Sequence, residues 1–253
     1  MEVIIHSSLE SLSKAAAELF IYKANIAVAK KGIFYVALSG GQTPKRTYEL
    51  LARKPRCSEV PWNNTNVFWS DERYLPQDNN FRNSFMAQKI LLNNVPIPPD
   101  QIHPIKCGYT PESSADEYDK LLHTFFTTQL FNFDLLFLGL GSDGHIASIF
   151  PGTKTLEEKD HWVTSVKLPD QKFQRVTLTL PVINNADCIL ILVAGAEKAD
   201  IVKNVLENSD KNESLPAKHI KPEKGEVVWL LDEAAASKLN KEKIKSKHNL
   251  STF

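Results

Sequence analysis

The chain has 253 residues, 42% hydrophobic and 24% charged, which excludes a disordered polypeptide and is long enough to bury a substantial core. Thirty basic and thirty acidic residues cancel, so no global field draws it onto nucleic acid or an anionic membrane, and any bound anion must be held locally. No apolar run nears the roughly 20 residues that span a bilayer. The start Met1-Glu2-Val3 also lacks a secretory leader's basic-then-apolar pattern, so a cytoplasmic protein with no nucleic-acid or membrane partner is expected.

The first element is a helix from about Leu9 to Lys31. Ser7 and Glu10 have capping-box spacing ahead of an alanine-rich stretch, and Gly32 lies where a left-handed C-terminal cap falls. The apolar run Ile33 to Leu38 then passes through Ser39-Gly40-Gly41-Gln42-Thr43-Pro44 into a second helix, with Thr43 suited to cap it and Pro44 to its first position. Small residues before a helix N-terminus let an anion approach unpaired N–H groups at the positive end of the helix dipole, which makes a phosphate cradle. The same residues also suit an ordinary tight strand-to-helix turn. No Gly-Lys-Ser/Thr follows, so a Walker A loop is excluded.

Val67 to Trp69 reads as another strand, followed by Ser70-Asp71-Glu72-Arg73-Tyr74. Ligands of open α/β sheets gather beyond the carboxyl ends of strands, so Asp71 and Arg73 are candidates to orient a substrate and stabilise anionic charge. A surface turn with local ion pairs fits the same residues. Val95 to Pro104 reads as a connection. Ser114 with Glu117 has capping-box spacing ahead of Tyr118, Leu121, Leu122, Phe125 and Phe126, one apolar helical face that belongs to a core.

Asp134 to Leu140 is the next strand, and it runs into Gly141-Ser142-Asp143-Gly144-His145. A neutral imidazole has a pKa near working pH and can take a proton from water, while a carboxylate two residues away can orient it. Lone histidines are more often structural, so the site depends on its context. Gly139, Gly141 and Gly144 also satisfy GxGxxG, and Asp160 lies at a tempting distance downstream. Pro151 interrupts too early for the long helix a dinucleotide fingerprint must open.

Arg175 precedes the β-rich run Val176 to Leu180, and Lys198 follows the strand Cys188 to Ala194. Each is a candidate phosphate clamp or a solvated surface cation. Val227 to Leu231 is a last strand. Lys238 to Phe253 carries five lysines and reads as a solvated helix end with a frayed tail. Cys57, Cys107 and Cys188 form neither a disulfide framework nor a CxxC metal site, and Cys188 is expected to be a buried, inert thiol. Near-continuous apolar strands separated by helices predict a single α/β domain over residues 1–253. Its architecture is a doubly wound, mainly parallel sheet covered by helices on both faces.

Leu38 to Pro44, Ser70 to Arg73, Gly139 to Pro151 and Arg175 to Thr179, in this order and spacing, resemble the glucosamine-6-phosphate isomerase/6-phosphogluconolactonase family on its lactonase side. Asp78 to Asn83, Leu215-Pro216-Ala217 and Trp229 to Ala236 extend the likeness over nearly the whole chain. The resemblance implies a three-layer α/β fold and hydrolysis of 6-phosphoglucono-1,5-lactone to 6-phosphogluconate in the oxidative pentose phosphate pathway, without a metal or nicotinamide cofactor. By it, Ser39, Gly40, Gly41, Thr43, Arg175 and Lys198 surround the phosphate, while Asp71, Arg73, Asp143 and His145 line the lactone end. His145 would be the base, Asp143 its orienter and Arg73 a stabiliser of the oxyanion. Deaminases of the same family have a glutamate where this sequence has Phe150, and Asp-Glu-Tyr where it has Asp71-Glu72-Arg73. A sensor that binds phosphosugars without turnover is the further alternative.

Overall fold

The computed structural model describes residues 1–125, 132–169, 171–207 and 214–240. Six parallel strands form the main sheet. They are β1 (Glu2–His6), β2 (Phe34–Leu38), β3 (Thr65–Trp69), β5 (Leu135–Leu138), β8 (Cys188–Val193) and β9 (Glu226–Asp232), in the spatial order β1-β9-β8-β5-β2-β3. All residues of β3, β5 and β8 are buried, which is why β5 and β8 are continuously apolar and do not alternate, while β3 is apolar from Val67 to Trp69 after Thr65 and Asn66. The chain winds outward in one direction from β2 to β3, and in the other from β5 through β8 and β9. The switch therefore falls between β2 and β5. A crevice opens at such a point beyond the strands' carboxyl ends.

The first helix, α1 (Leu9–Lys31), has the expected bounds, but its cap lies one residue later. Ser8 and Ser11 form the capping box, and Glu10 instead pairs with Arg46 across to α2 (Gln42–Leu51). Gly32 closes α1 at φ 79°, a left-handed conformation that needs no Cβ, and its N–H reaches the Val28 carbonyl. Leu12, Ala16, Phe20 and Ala24 make the buried stripe, and Phe20 meets the ring of Phe34 edge-on at 5.4 Å. Removing a fully buried ring such as Phe20 by substitution with alanine costs about 3–5 kcal/mol.

A second sheet was not anticipated. β4 (Asp71–Arg73), β7 (Arg175–Leu178) and β6 (Val163–Val166) pair antiparallel in the order β4-β7-β6. Ser70 is where the chain crosses between sheets. Its N–H donates to the Leu38 carbonyl on β2, and its own carbonyl accepts from Leu178 on β7. Asp71-Glu72-Arg73 is therefore a strand with two buried carboxylates, and the surface-turn reading fails. Glu72 accepts the backbone N–H groups of Arg73, Asn83 and Ser84 and pairs with the buried Arg82 guanidinium at 3.3 Å. These bonds tie β4 to the start of α3 (Asn83–Ile90).

The remaining helices are α4 (Pro111–Phe125), α5 (Leu180–Asn184) and α6 (Ala199–Leu206). α4 starts ahead of the expected box. Thr110 and Ser113 exchange the capping bonds, and Ser114 lies inside the helix, where its Oγ accepts from the Gly108 N–H. Tyr118 and Leu122 are buried as the apolar face requires, and Phe126 lies outside the described residues. Val95 to Pro104 connects α3 to α4 and touches β3 through a bridge between Val67 and Ile102. After β9 the chain forms turns up to Lys238, which binds Asp200; residues 241–253 of the expected tail lie outside the described residues. All three cysteines are free. Burial pushes the Cys188 thiol up to about 12, the inert state expected of it. Among the described residues no helix is long and apolar enough to cross a membrane.

Candidate active site

At the carboxyl ends of β2, β3, β5 and β8 lies a cleft of about 260 Å³. It is lined by Ser39, Gly40 and Gly41 after β2, Asp71 and Arg73 on β4, Gly139 to Ser142 and His145 after β5, Arg175 on β7 and Lys198 after β8. Residues spread over 160 positions of sequence thus meet where the winding of the sheet reverses.

The turn after β5 is built to present one imidazole. Gly144 adopts φ 83° and donates to the Gly141 carbonyl, and Gly141 in turn donates to the carbonyl of His145. A Cβ at Gly141 would collide with the His145 ring, so this close return needs glycine. No helix opens at Gly144, which removes the dinucleotide reading of the three glycines. Asp143 Oδ1 lies 2.6 Å from His145 Nδ1 and also accepts the His145 backbone N–H at 3.1 Å. A carboxylate can only accept, so in the neutral imidazole Nδ1 carries the proton and Nε2 keeps its lone pair. Burial opposes the charge on Asp143, but its bonds to His145 outweigh this and draw the carboxyl down to about 2. The Phe150 ring packs against the imidazole, centroid to centroid at 4.4 Å.

The small sheet supplies two arginines. Arg73 and Arg175 stand directly opposite each other in the β4–β7 register, and both line the cleft. Like charges so placed repel unless an anion lies between or beside them. Arg73 is steadied by donating from Nη1 to the Phe81 carbonyl at 2.6 Å, and Arg175 by donating to Gln171 at 3.1 Å. The Arg175 guanidinium also sits 5.5 Å from the centroid of Phe150, and its buried Nε has no partner among the described residues. Burial lowers the Arg175 pKa, a shift opposed by Asp71 and Asp143 and reinforced by Arg73. Asp71 itself is already engaged, accepting Ser148 Oγ at 2.6 Å on Oδ2 and Asn83 Nδ2 at 3.1 Å on Oδ1.

On the glycine-turn side, Ser39 Oγ is buried with no partner among the described residues, and Tyr48 Oη bridges the Ser39 N–H and carbonyl. The cap of α2 is Gly41, at φ 103°, not Thr43; Thr43 and Pro44 are the second and third helical residues. Thr43, expected beside the phosphate, is not among the residues lining the cleft. Lys198 is, carried by a short 3-10 turn that begins at Gly195.

The family model described as glucosamine-6-phosphate isomerases/6-phosphogluconolactonase matches residues 7–229. The chain belongs to this family. The 6-phosphogluconolactonase of Synechocystis sp. is 41% identical over 217 residues, 84% of this chain and 88% of that protein. The one from Nostoc sp. is 37% identical, covering 88% and 92%. The solved 6-phosphogluconolactonase from Trypanosoma cruzi superposes with a TM-score of 0.84 at 29% identity, covering 94% and 97%.

Two residues of this family member escaped the sequence reading of the site, Asn83 and Ser148. Asn83 was legible only as part of the family-like segment Asp78 to Asn83, and Ser148 only as part of the family-like segment Gly139 to Pro151. Both act through Asp71 across the fold, a relationship that no local pattern encodes.

Proposed function

We propose that this chain hydrolyses 6-phospho-D-glucono-1,5-lactone to 6-phospho-D-gluconate, a reaction of the oxidative pentose phosphate pathway. The observation that carries the reading is His145, paired with Asp143 at 2.6 Å and lining the same cleft as the Ser39–Gly41 turn and three cations; Asp143, expected at the lactone end, is not itself among the lining residues. Arg175 and Lys198, with Ser39 and the backbone N–H groups of the turn, hold the phosphate. His145 Nε2 takes a proton from water as the oxygen attacks C1 of the lactone. Arg73 stabilises the negative charge that develops on the carbonyl oxygen.

The tetrahedral intermediate then collapses by breaking the bond between C1 and the ring oxygen, and the imidazolium returns its proton to that oxygen. The product acid ionises and releases one proton to solvent. Asp143 fixes the imidazole tautomer and supports its charged form, so no covalent enzyme intermediate is needed. Phe150 places an apolar ring against His145, so the carboxylate that a deaminase would bring there is missing. Three free thiols suit a reducing compartment, and we assign the protein to the cytoplasm.

The test is proton release from freshly generated phosphogluconolactone above its spontaneous hydrolysis. Acceleration supports the lactonase. Ammonia release from glucosamine 6-phosphate would replace it with a deaminase, and binding without turnover would replace it with a sensor.

A further inference from the structure

Trp229 to Ala236, one of the family-like segments, contributes nothing to the cleft lining, yet its Asp232 is nine-tenths buried at the carboxyl end of β9. Both carboxylate oxygens of Asp232 stand 3.1 Å from the N–H of Gly195, and Oδ1 also accepts the Ala235 N–H at 2.7 Å. Gly195 opens the turn that carries Lys198, and its carbonyl accepts the Lys198 N–H at 3.1 Å. At φ 103° it holds a conformation that favours glycine, and a Cβ there would collide with the Glu197 carboxylate. The turn is thus pinned at its first residue by a buried charge on the neighbouring strand.

We propose that Asp232 is a positioning residue that fixes the Gly195–Lys198 turn so that the Lys198 ammonium meets the substrate's phosphate. The proposal rests on the reading of Lys198 as a phosphate ligand. Asp232 touches no substrate; it acts through a backbone N–H two strands' width from the glycine turn, and a charge-assisted bond of this kind is worth more than a neutral one. The consequence is confined to binding, because the water, His145 and the lactone carbon are untouched by a small drift of Lys198.

The test compares D232N with wild type, alone and in a K198A background, by titration with 6-phosphogluconate and by steady-state kinetics on the lactone. The expected result is a rise of about tenfold in Kd and KM for D232N with kcat held, and no further rise when the substitution is added to K198A. Equal losses in both backgrounds, or a loss of kcat at unchanged KM, would reduce Asp232 to a general structural role and overturn the proposal. Unchanged phosphogluconate binding in K198A alone overturns it together with the assignment of Lys198, while lactone hydrolysis by the wild type reports separately on the proposed function. Should D232N not fold, D232E keeps the carboxylate but displaces it by one methylene, and the same split and the same non-additivity are expected of it.

Discussion

Ser148 Oγ donates to Asp71 Oδ2 at 2.6 Å, joining residues 77 positions apart beneath the floor of the cleft. The Ser148 N–H donates to Thr177 Oγ1, and Thr177 faces Asp71 in the β4–β7 register, so the serine is fixed from both sides. Asp71 is held in place more than it is free to reach for a ligand. Ser148→Ala removes a charge-assisted hydrogen bond and leaves a buried carboxylate short of a donor. The expected loss is about 1.5–3 kcal/mol, read as a drop of roughly ten- to a hundredfold in kcat/KM for the lactone or as lower stability in urea.

Gly40 is required by Asn83 as much as by any ligand. A Cβ at position 40 would run into Asn83 Oδ1, and Asn83 Nδ2 is what holds the Asp71 carbonyl and Oδ1. Gly40→Ala is expected to cost about 1–3 kcal/mol of stability, the usual penalty of overpacking. Adding Asn83→Ala should return part of that stability but not the activity. Equilibrium unfolding of the single and double variants checks the first claim, and kcat/KM the second.

Arg175 is expected to act on binding. Arg175→Ala should raise KM and weaken 6-phosphogluconate by roughly ten- to a hundredfold while kcat falls far less. The Arg73–Arg175 juxtaposition adds a second expectation. Without a bound anion the arginine pair is repulsive, so inorganic phosphate should raise the wild-type Tm more than that of Arg175→Ala.

Most of the frame was legible in the chain because buried parallel strands write themselves as unbroken apolar runs: residues 33–38, 67–69, 134–140, 188–194 and 227–231 all mark strands of the main sheet. β1 was missed because Val3-Ile4-Ile5 is short and follows the chain start without a turn signal. The small sheet was missed because β4 is a three-residue charged strand, Asp71-Glu72-Arg73, whose carboxylates are buried only by partners far away in sequence. The caps of α1, α2 and α4 each moved by one or more residues, since several Ser, Thr and Gly residues compete at each start and the packing of the helix decides among them. Most residues that line the cleft were legible as motifs; the hydrogen bonds that Asn83 and Ser148 make to Asp71, and Asp232 to Gly195, were not.

His103 gives the fold a pH dependence of its own. Its ring stacks on Phe68 and meets Phe125 at a tilt, each with centroids 4.6 Å away, and Nε2 meets Asn66 Oδ1 at 2.8 Å. Burial lowers its pKa to about 4, against a small opposing pull from Asp100. The unfolded chain therefore binds this proton more readily than the folded one. The contribution is fully present above pH 6.5 and is lost as the pH falls through the window from 6.5 to 4. Allowing for solvent screening of a partly exposed ring, about 1–2 kcal/mol is at stake, or a few degrees in Tm. Thermal melts across that window should show a steeper fall for the wild type than for His103→Gln.

In the proposed mechanism His145 Nε2 is the proton acceptor. The most direct measurement is the rate of proton release from phosphogluconolactone by His145→Ala, alongside a titration of the same variant with 6-phosphogluconate. With the acceptor gone, kcat is expected to fall by about 10² to 10⁴ while the product's Kd stays within about twofold of wild type. Turnover close to wild type in that variant would contradict this role.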